Sequence, residues 1–314
     1  MKSIITLTMN PAVDQSSTTA IVTDEKKLRC SNVGYDPGGG GINVSRAINI
    51  LGGKSKAIYP AGGQIGNLLE ELLKKEKIDQ VRFTIKESTR LNIHVIEETS
   101  DKQYRFNMPG ASMQEHEWQH ILASLREFIP STDYIVASGS LPPHVPTDFY
   151  REIAALSKKI GCKLILDTTN EPLKQALQEG VYLIKPNLYE FQQLIGDTFQ
   201  NEAKIIHEAQ EIIQSNQCKY IIISLGVAGT FLIKKDNYKH IPSPLVPIKS
   251  RVGAGDCMVG GITLKLAQEK PIEEAVRYGI SAGASAVMTP GTELCRWDDT
   301  ERIYASMMNT IINV

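Results

Sequence analysis

From about residue 130 onward, short β-branched and aliphatic runs alternate with amphipathic stretches, and no other feature restricts the fold of this chain as strongly. Residues 133–137, 163–167, 182–185 and 220–224 read as strands, and 147–160, 173–178 and 202–215 as the helices between them. Ile221-Ile222-Ile223 is apolar without a break. A strand that is apolar on every residue has to be covered on both faces, and strands joined through helices lie parallel. The pattern predicts an α/β fold: a mainly parallel sheet between helical layers, followed by a nearly all-helical tail over 255–314. The first hundred residues differ. Residues 26–35, 91–98 and 103–107 alternate apolar and polar side chains, so they predict a small, half-exposed sheet projecting as a lid. No linker, low-complexity run or fixed-period repeat divides the chain. The expectation is one α/β domain over 1–314, with lid strands drawn from about 14–36 and 90–107.

Charge narrows the function. The 34 basic and 35 acidic residues leave a net charge of −1, which gives no electrostatic footprint for nucleic acid or a membrane surface. No window reaches the length of apolar residues that a spanning helix needs. Residues 1–10 read as the first strand and not as a secretion signal. The five cysteines are far apart and none has C-x-x-C spacing, so a reduced, cytoplasmic protein without a zinc site is expected. Cys30, Cys162, Cys218 and Cys295 read as small packed residues. Cys257 stands in the first turn of a helix but is also read as packed. His116 and His120, spaced for a metal, sit among Glu115, Glu117 and Gln119 and read as a wet helix face.

Several nucleotide motifs nearly occur. Gly53-Lys54-Ser55 resembles the end of a phosphate-cradling loop, but Ile48 stands where its first glycine belongs. G-x-G-x-x-G fails from Gly38, Gly39 and Gly253, because Asn43, Val44 and Met258 occupy the last position. Two other glycine clusters lead into helices. Gly38-Gly39-Gly40-Gly41 precedes Ile42-Asn43, and a tight turn does not need four glycines. Close approach of their amides to a ligand is the expected use, with Asn43 donating from the first turn. Gly253-Ala254-Gly255-Asp256 opens a second helix, whose free amides and dipole suit an anion. A carboxylate there can take a proton from an attacking hydroxyl while the amides absorb phosphoryl charge.

With these two elements and Lys185-Pro186-Asn187-Leu188-Tyr189-Glu190 between them, the whole chain resembles the ribokinase-like (PfkB) carbohydrate kinase family. The resemblance implies a three-layer α/β/α domain with a β lid, and ATP-dependent phosphorylation of a sugar. Within the family the chain is most similar to the 6-phosphofructokinase branch. The 1-phosphofructokinase and tagatose-6-phosphate kinase branches usually carry lysine where this chain has Gly40. Ser250 and Arg251 stand where the family usually reads Asp-Thr, so no role carries over to Arg251.

Carried over position by position, the resemblance implies Asp256 as catalytic base and Gly253, Ala254 and Gly255 as the anion hole. It implies Asn187 and Glu190 for Mg²⁺, Lys185 beside the ATP phosphates, and Ser224, Gly226 and Gly229 around the nucleotide. Asp14, Gly38, Gly39, Asn43 and Ser138 would meet the sugar. Lys27, Arg29, Arg90 and Arg105 would read its phosphate, with Lys27 and Arg29 on one face of a lid strand. Backbone carbonyls at Ser250, Val252, Ala286, Thr289, Gly291 and Glu293 would hold K⁺. The expected reaction is fructose 6-phosphate plus ATP to fructose 1,6-bisphosphate plus ADP, in a homodimer joined through the lid. The alternatives are phosphorylation of another sugar phosphate and a non-catalytic sensor on the same fold.

Overall fold

The computed structural model describes residues 1–128, 131–198 and 201–312. In chain order the elements begin with β1 (Ile4–Leu7), β2 (Ala12–Thr19), β3 (Ser31–Gly38), α1 (Gly40–Ile50), β4 (Lys56–Ala61) and α2 (Gly63–Lys75). Next come β5 (Asp79–Thr84), β6 (Arg90–Glu97), β7 (Lys102–Phe106), α3 (Glu115–Phe128), β8 (Tyr134–Ser138) and α4 (Phe149–Ile160). Then follow β9 (Lys163–Asp167), α5 (Asn170–Glu179), β10 (Val181–Ile184), α6 (Leu188–Ile195), α7 (Glu202–Gln214) and β11 (Cys218–Ser224). The last are β12 (Thr230–Ile233), β13 (Tyr238–Ile241), α8 (Ala254–Ala267), α9 (Ile272–Val287) and α10 (Trp297–Ile312).

Among the described residues, nine strands form one sheet in the order β13-β12-β11-β10-β9-β8-β1-β4-β5. From β11 to β5 all neighbours are parallel, and β12 and β13 are added antiparallel. Strand alternation splits the core between two faces. Ile135, Ala137, Leu164, Leu166, Ile221 and Ile223 pack with α3, α4, α5, α6 and α7. Tyr134, Val136, Ile165 and Ile222 pack with α1, α8 and α9 on the other face. The order reverses at β1, which has β4 on one side and β8 on the other. A crevice opens at such a reversal, outside the carboxyl ends of the strands.

The lid is a four-stranded sheet, β3-β2-β6-β7. Two expectations about it are corrected. Residues 20–30 form an exposed loop, so Lys27 and Arg29 are not on a strand and share no strand face. The apolar–polar alternation there continues through a connection that has no partner strand. Cys30 lies in the same loop and is exposed, unlike Cys162, Cys218, Cys257 and Cys295, which are buried. The other expected strands and helices appear within about two or three residues of their expected ends. Residues 313 and 314, the end of the expected helical tail, lie outside the described residues. No helix is long and apolar enough to cross a membrane.

Candidate active site

Asp256 occupies the first turn of α8, which is entered through Gly253 in a left-handed conformation (φ 72°). The first amides of a helix have no intrahelical partner, so those of 254–256 and the positive dipole end face the crevice. The Asp256 carboxyl is half-buried. It is pushed up to about 7, by burial first and then by the Asp167 carboxylate, with Asp14 adding to the effect. A hydrogen bond from Asn43 Nδ2 (2.9 Å) and the charge of Lys185 oppose the rise. A carboxyl balanced near neutrality is suited to exchanging a proton.

Lys185 follows β10, and its side chain is only 6% exposed. Burial works to lower its pKa, but the surrounding Asp167, Glu190 and Asp256 carboxylates outweigh burial and raise it. Its Nζ is 3.5 Å from Asp167 Oδ1, and a Cβ at Gly255 would stand 3.5 Å from the same Nζ. The ammonium therefore adjoins the amides of α8. Ser138, at the end of β8, donates to Asp167 Oδ2 (3.4 Å).

The glycine run before α1 serves the protein's own packing more than the sequence suggests. A Cβ at Gly38 would strike the Asp14 carboxylate, and one at Gly40 would strike Ser138 Oγ. At Gly41 it would meet the Leu7 carbonyl oxygen at 2.5 Å. Gly39 has φ +108°, which suits glycine alone. The run lets α1 begin against the ends of β1 and β8, which sets Asn43 opposite Asp256.

On the lid side, Asp14 Oδ1 accepts from Asn92 Nδ2 at 2.7 Å, and His94 Nε2 stands 3.6 Å away. Burial works to raise Asp14, but His94, Asn92 and the charge of Arg90 outweigh it and lower its pKa. The fork of Arg90 reaches the backbone carbonyls of Asn10 (2.9 Å), Met108 (3.3 Å) and Pro11 (3.4 Å). It ties β6 to both flanking segments and keeps donors in reserve. Arg105, on β7, is exposed.

A cavity of ≈ 630 Å³, a volume suited to a nucleotide-sized ligand, adjoins the other side of α8. Asn187, Ser224, Gly226, Gly229 and Arg251 line it, with Ala254 and Gly255 at the helix end and Val246, Met258 and Ile280 as apolar wall. A larger hollow of ≈ 990 Å³ lies against segment 239–246 and α10, but none of the predicted site residues lines it. The 226–229 turn joins β11 to β12, which is buried along its whole length.

Asn187 and Glu190 have a structural duty that the sequence reading did not assign. Asn187 Oδ1 accepts from the Glu190 amide and Glu190 Oε2 from the Asn187 amide, both at 2.9 Å, a capping box that opens α6. Glu190 Oε1 is outside that pair, and the carboxylate still acts on Lys185. Among the described residues no group of three or more His, Cys, Asp or Glu could hold a metal by itself. One carboxylate in an open crevice fits Mg²⁺, which takes few protein ligands and keeps its waters and phosphates.

Hydrogen bonds link several of the residues whose carbonyls the resemblance singles out. Ser250 Oγ donates to the Gly291 carbonyl (2.7 Å), and the Val252 amide to Ser250 Oγ (3.2 Å). Thr289 Oγ1 lies 2.7 and 2.6 Å from the carbonyls of Ala286 and Glu293. A carbonyl keeps a second lone pair, so this loop cluster fits a monovalent cation.

Asp167, Arg46, Asn92 and His94 were not singled out by sequence, and Arg251, to which no role was carried over, lines the cavity. For Asp167 a signal existed, since it ends the apolar strand Leu164-Ile165-Leu166 at the carboxyl edge of the sheet. Asn92 and His94 are joined to the site by contacts with Asp14, distant in the chain, and Arg46 is held by Glu76, thirty residues away.

Comparison with known proteins identifies the family. The family model for pfkB family carbohydrate kinase matches residues 7–299. The chain is 42% identical over 306 residues to ATP-dependent 6-phosphofructokinase isozyme 2 of Escherichia coli, covering 97% of this chain and 99% of the relative. Two crystal structures of E. coli phosphofructokinase-2 align over 98% of this chain and 100% of theirs. The complex with potassium has a TM-score of 0.93 at 40% identity, and the complex with fructose 6-phosphate 0.91 at 39%. The chain belongs to the pfkB family of carbohydrate kinases.

Proposed function

We propose that the chain is an ATP-dependent 6-phosphofructokinase, converting fructose 6-phosphate and ATP into fructose 1,6-bisphosphate and ADP. The observation that carries this reading is Asp256. Its near-neutral carboxyl stands at the free amides of α8, between the nucleotide-sized cavity and the Asp14–Arg90 side of the lid. Asp256 accepts the proton of the sugar 1-hydroxyl as that oxygen bonds to the γ-phosphorus and the bond to the ADP oxygen breaks. The amides at Ala254, Gly255 and Asp256, with Lys185, receive the charge that develops on the phosphoryl oxygens. Asp14 accepts from sugar hydroxyls, and the fork of Arg90 pairs with the phosphate already on the sugar. Glu190 and Asn187 would hold Mg²⁺ here, and the ion would supply further neutralisation of phosphate charge.

The occupied space at Gly40 favours this substrate over those of the sister branches, since a lysine there would displace Ser138. A sensor would have no use for a base at an anion site. The exposed apolar side chains of the lid and its flanks (Ile21, Leu28, Val33, Tyr35, Phe106, Met108) support a homodimer closed through that sheet. The free cysteines support work in the cytoplasm.

A coupled ADP-release assay with fructose 6-phosphate, fructose 1-phosphate and tagatose 6-phosphate tests the reading. The highest kcat/KM is expected with fructose 6-phosphate. A higher value with either competitor overturns the substrate, and no ADP release with any of the three favours the sensor.

A further inference from the structure

Arg46 lies on α1, one turn after Asn43, and is buried. Its Nε and Nη2 each reach a carboxylate oxygen of Glu76 at 2.7 Å, just past the end of α2. Its Nη1 donates to the Pro37 carbonyl at 2.9 Å and to Asn43 Oδ1 at 3.3 Å, and Asp36 Oδ1 lies 3.7 Å from Nη2. The fork is thus fixed to a second helix and to the turn that enters α1. Asn43 in turn donates to Asp256 Oδ2.

We infer that Arg46, clamped by Glu76, is a positioning residue for phosphoryl transfer: it fixes which end of the Asn43 amide meets the Asp256 carboxylate. The inference rests on the reading of Asp256 as the base. A guanidinium has donors only, so the Asn43 atom that faces it must be oxygen. The amide nitrogen is then committed to Asp256. There it bonds the ionised carboxylate at Oδ2 and leaves Oδ1 to receive the sugar proton. If the amide turned over, its oxygen would face Asp256 and could bond only the protonated acid. The base would then be held in its inactive form.

The other groups around Asp256 do not hold the amide. Asp167 at the end of β9 and Asp14 on β2 favour protonation, and Lys185 after β10 favours ionisation. On α8 the adjacent titratable group is the buried Cys257 thiol. The ionised Asp256 carboxylate selects the nitrogen end of the Asn43 amide but the protonated acid can bond either end, whereas Arg46 selects the oxygen end whatever the protonation state of Asp256.

The experiment is the pH profile of kcat at saturating ATP and fructose 6-phosphate for wild type, Arg46→Lys and Glu76→Gln. Lysine keeps the charge but loses the fork. For Arg46→Lys the acid limb should move up by about one pH unit, with kcat several-fold lower near pH 6.5 and recovered near pH 9. Its KM for ATP should stay within about twofold of wild type. Glu76→Gln should shift the limb in the same direction by less. A general loosening of the fold would lower kcat at every pH and would not be rescued by base. If Arg46→Lys fails to fold, an unshifted limb in Glu76→Gln overturns the proposal, as does an unshifted limb in folded Arg46→Lys. Asp256→Asn separates the two readings. If it retains wild-type kcat, the base assignment itself fails. If it is inactive while Arg46→Lys titrates like wild type, only the positioning role fails.

Discussion

The floor of the crevice and the lid above it both carry ionised side chains, but they hold them differently. On the floor, Lys185 is buried against Asp167, Ser138 bonds Asp167, and Asp256 is tied through Asn43 to the buried Arg46. On the lid and its loops, Lys27, Arg29 and Arg105 are exposed, and of the four predicted lid cations Arg90 alone is fastened, by three backbone carbonyls. Charges that share a partly buried site set each other's protonation, whereas solvated charges act nearly independently. Floor substitutions should therefore change kcat and its pH dependence, while lid substitutions should change KM for the sugar phosphate.

The largest effect tests the floor. Asp256→Asn should lower kcat by about 10²–10⁴-fold with little change in either KM, the usual worth of a positioned base. Stability should move the other way. The folded-state pKa of Asp256 is raised, from 3.8 to about 7, so the folded state binds the extra proton between those values. This carboxyl therefore favours folding at low pH and destabilises progressively as pH rises through that window. The asparagine variant avoids that cost, and at pH 8 it should be more stable by about 1–3 kcal/mol in denaturant unfolding, allowing for solvent screening. A variant that is no more stable than wild type at pH 8, or that keeps its kcat, breaks the comparison at its strongest point.

Arg90→Ala comes next. Losing a charge-assisted contact of about 1.5–3 kcal/mol should raise KM for fructose 6-phosphate on the order of ten- to a hundred-fold, with a much smaller change for ATP. Lysine should recover only part of the loss, because it cannot reproduce the fork. Because Arg90 also ties Asn10, Pro11 and Met108 together, equal rises for sugar and ATP would mean that its bonds to the backbone matter more than any bond to phosphate.

The same contrast explains what the sequence revealed. β8, β9, β10 and β11 were legible because strands covered on both faces leave unbroken apolar runs. β12 and β13 were not, since two four-residue strands added antiparallel at an edge leave only a short signal. In the lid, Lys27-Leu28-Arg29-Cys30 alternates as a strand would, but alternation does not supply a partner, and these residues became a loop. On the floor, Asp256 and its glycines were legible because a helix start is a local pattern. Asn187 and Glu190 were legible too, although their spacing also encodes a capping box. The links from Glu76 to Arg46 and from Asp167 to Lys185 join residues distant in sequence and leave no local trace.

Oligomeric state sharpens the comparison from the lid side. Val33 is 52% exposed and Phe106 53%, and on a solitary lid both would remain in water. A Val33→Asp/Phe106→Asp double variant should sediment as monomer at micromolar concentration while wild type sediments as a larger species, with the thermal transition of the body shifted by only a few degrees, as for other surface changes. A wild type that is monomeric and fully active would remove the lid as an association surface.

The smallest effect concerns Lys27 and Arg29. Both side chains are exposed in the loop at 20–30, and the carbonyl of Arg29 is what the loop uses, accepting from Thr19 Oγ1 at 3.2 Å. Long cations in that setting act on a phosphate dianion through solvent, and an exposed pair is worth about 0–1 kcal/mol. Lys27→Ala and Arg29→Ala should therefore each raise KM for fructose 6-phosphate by less than about fivefold at 0.15 M salt, the equivalent of that energy. The effect should shrink further at 1 M salt, where the Debye length falls to about 3 Å. Arg90→Ala should keep most of its effect at high salt, because its guanidinium is partly buried. If either loop variant instead equals Arg90→Ala and resists salt, that cation is held against the sugar phosphate in the working enzyme. The loop would then belong with the fastened charges of the floor, and the division drawn between the two regions would have to move to the outer edge of the lid.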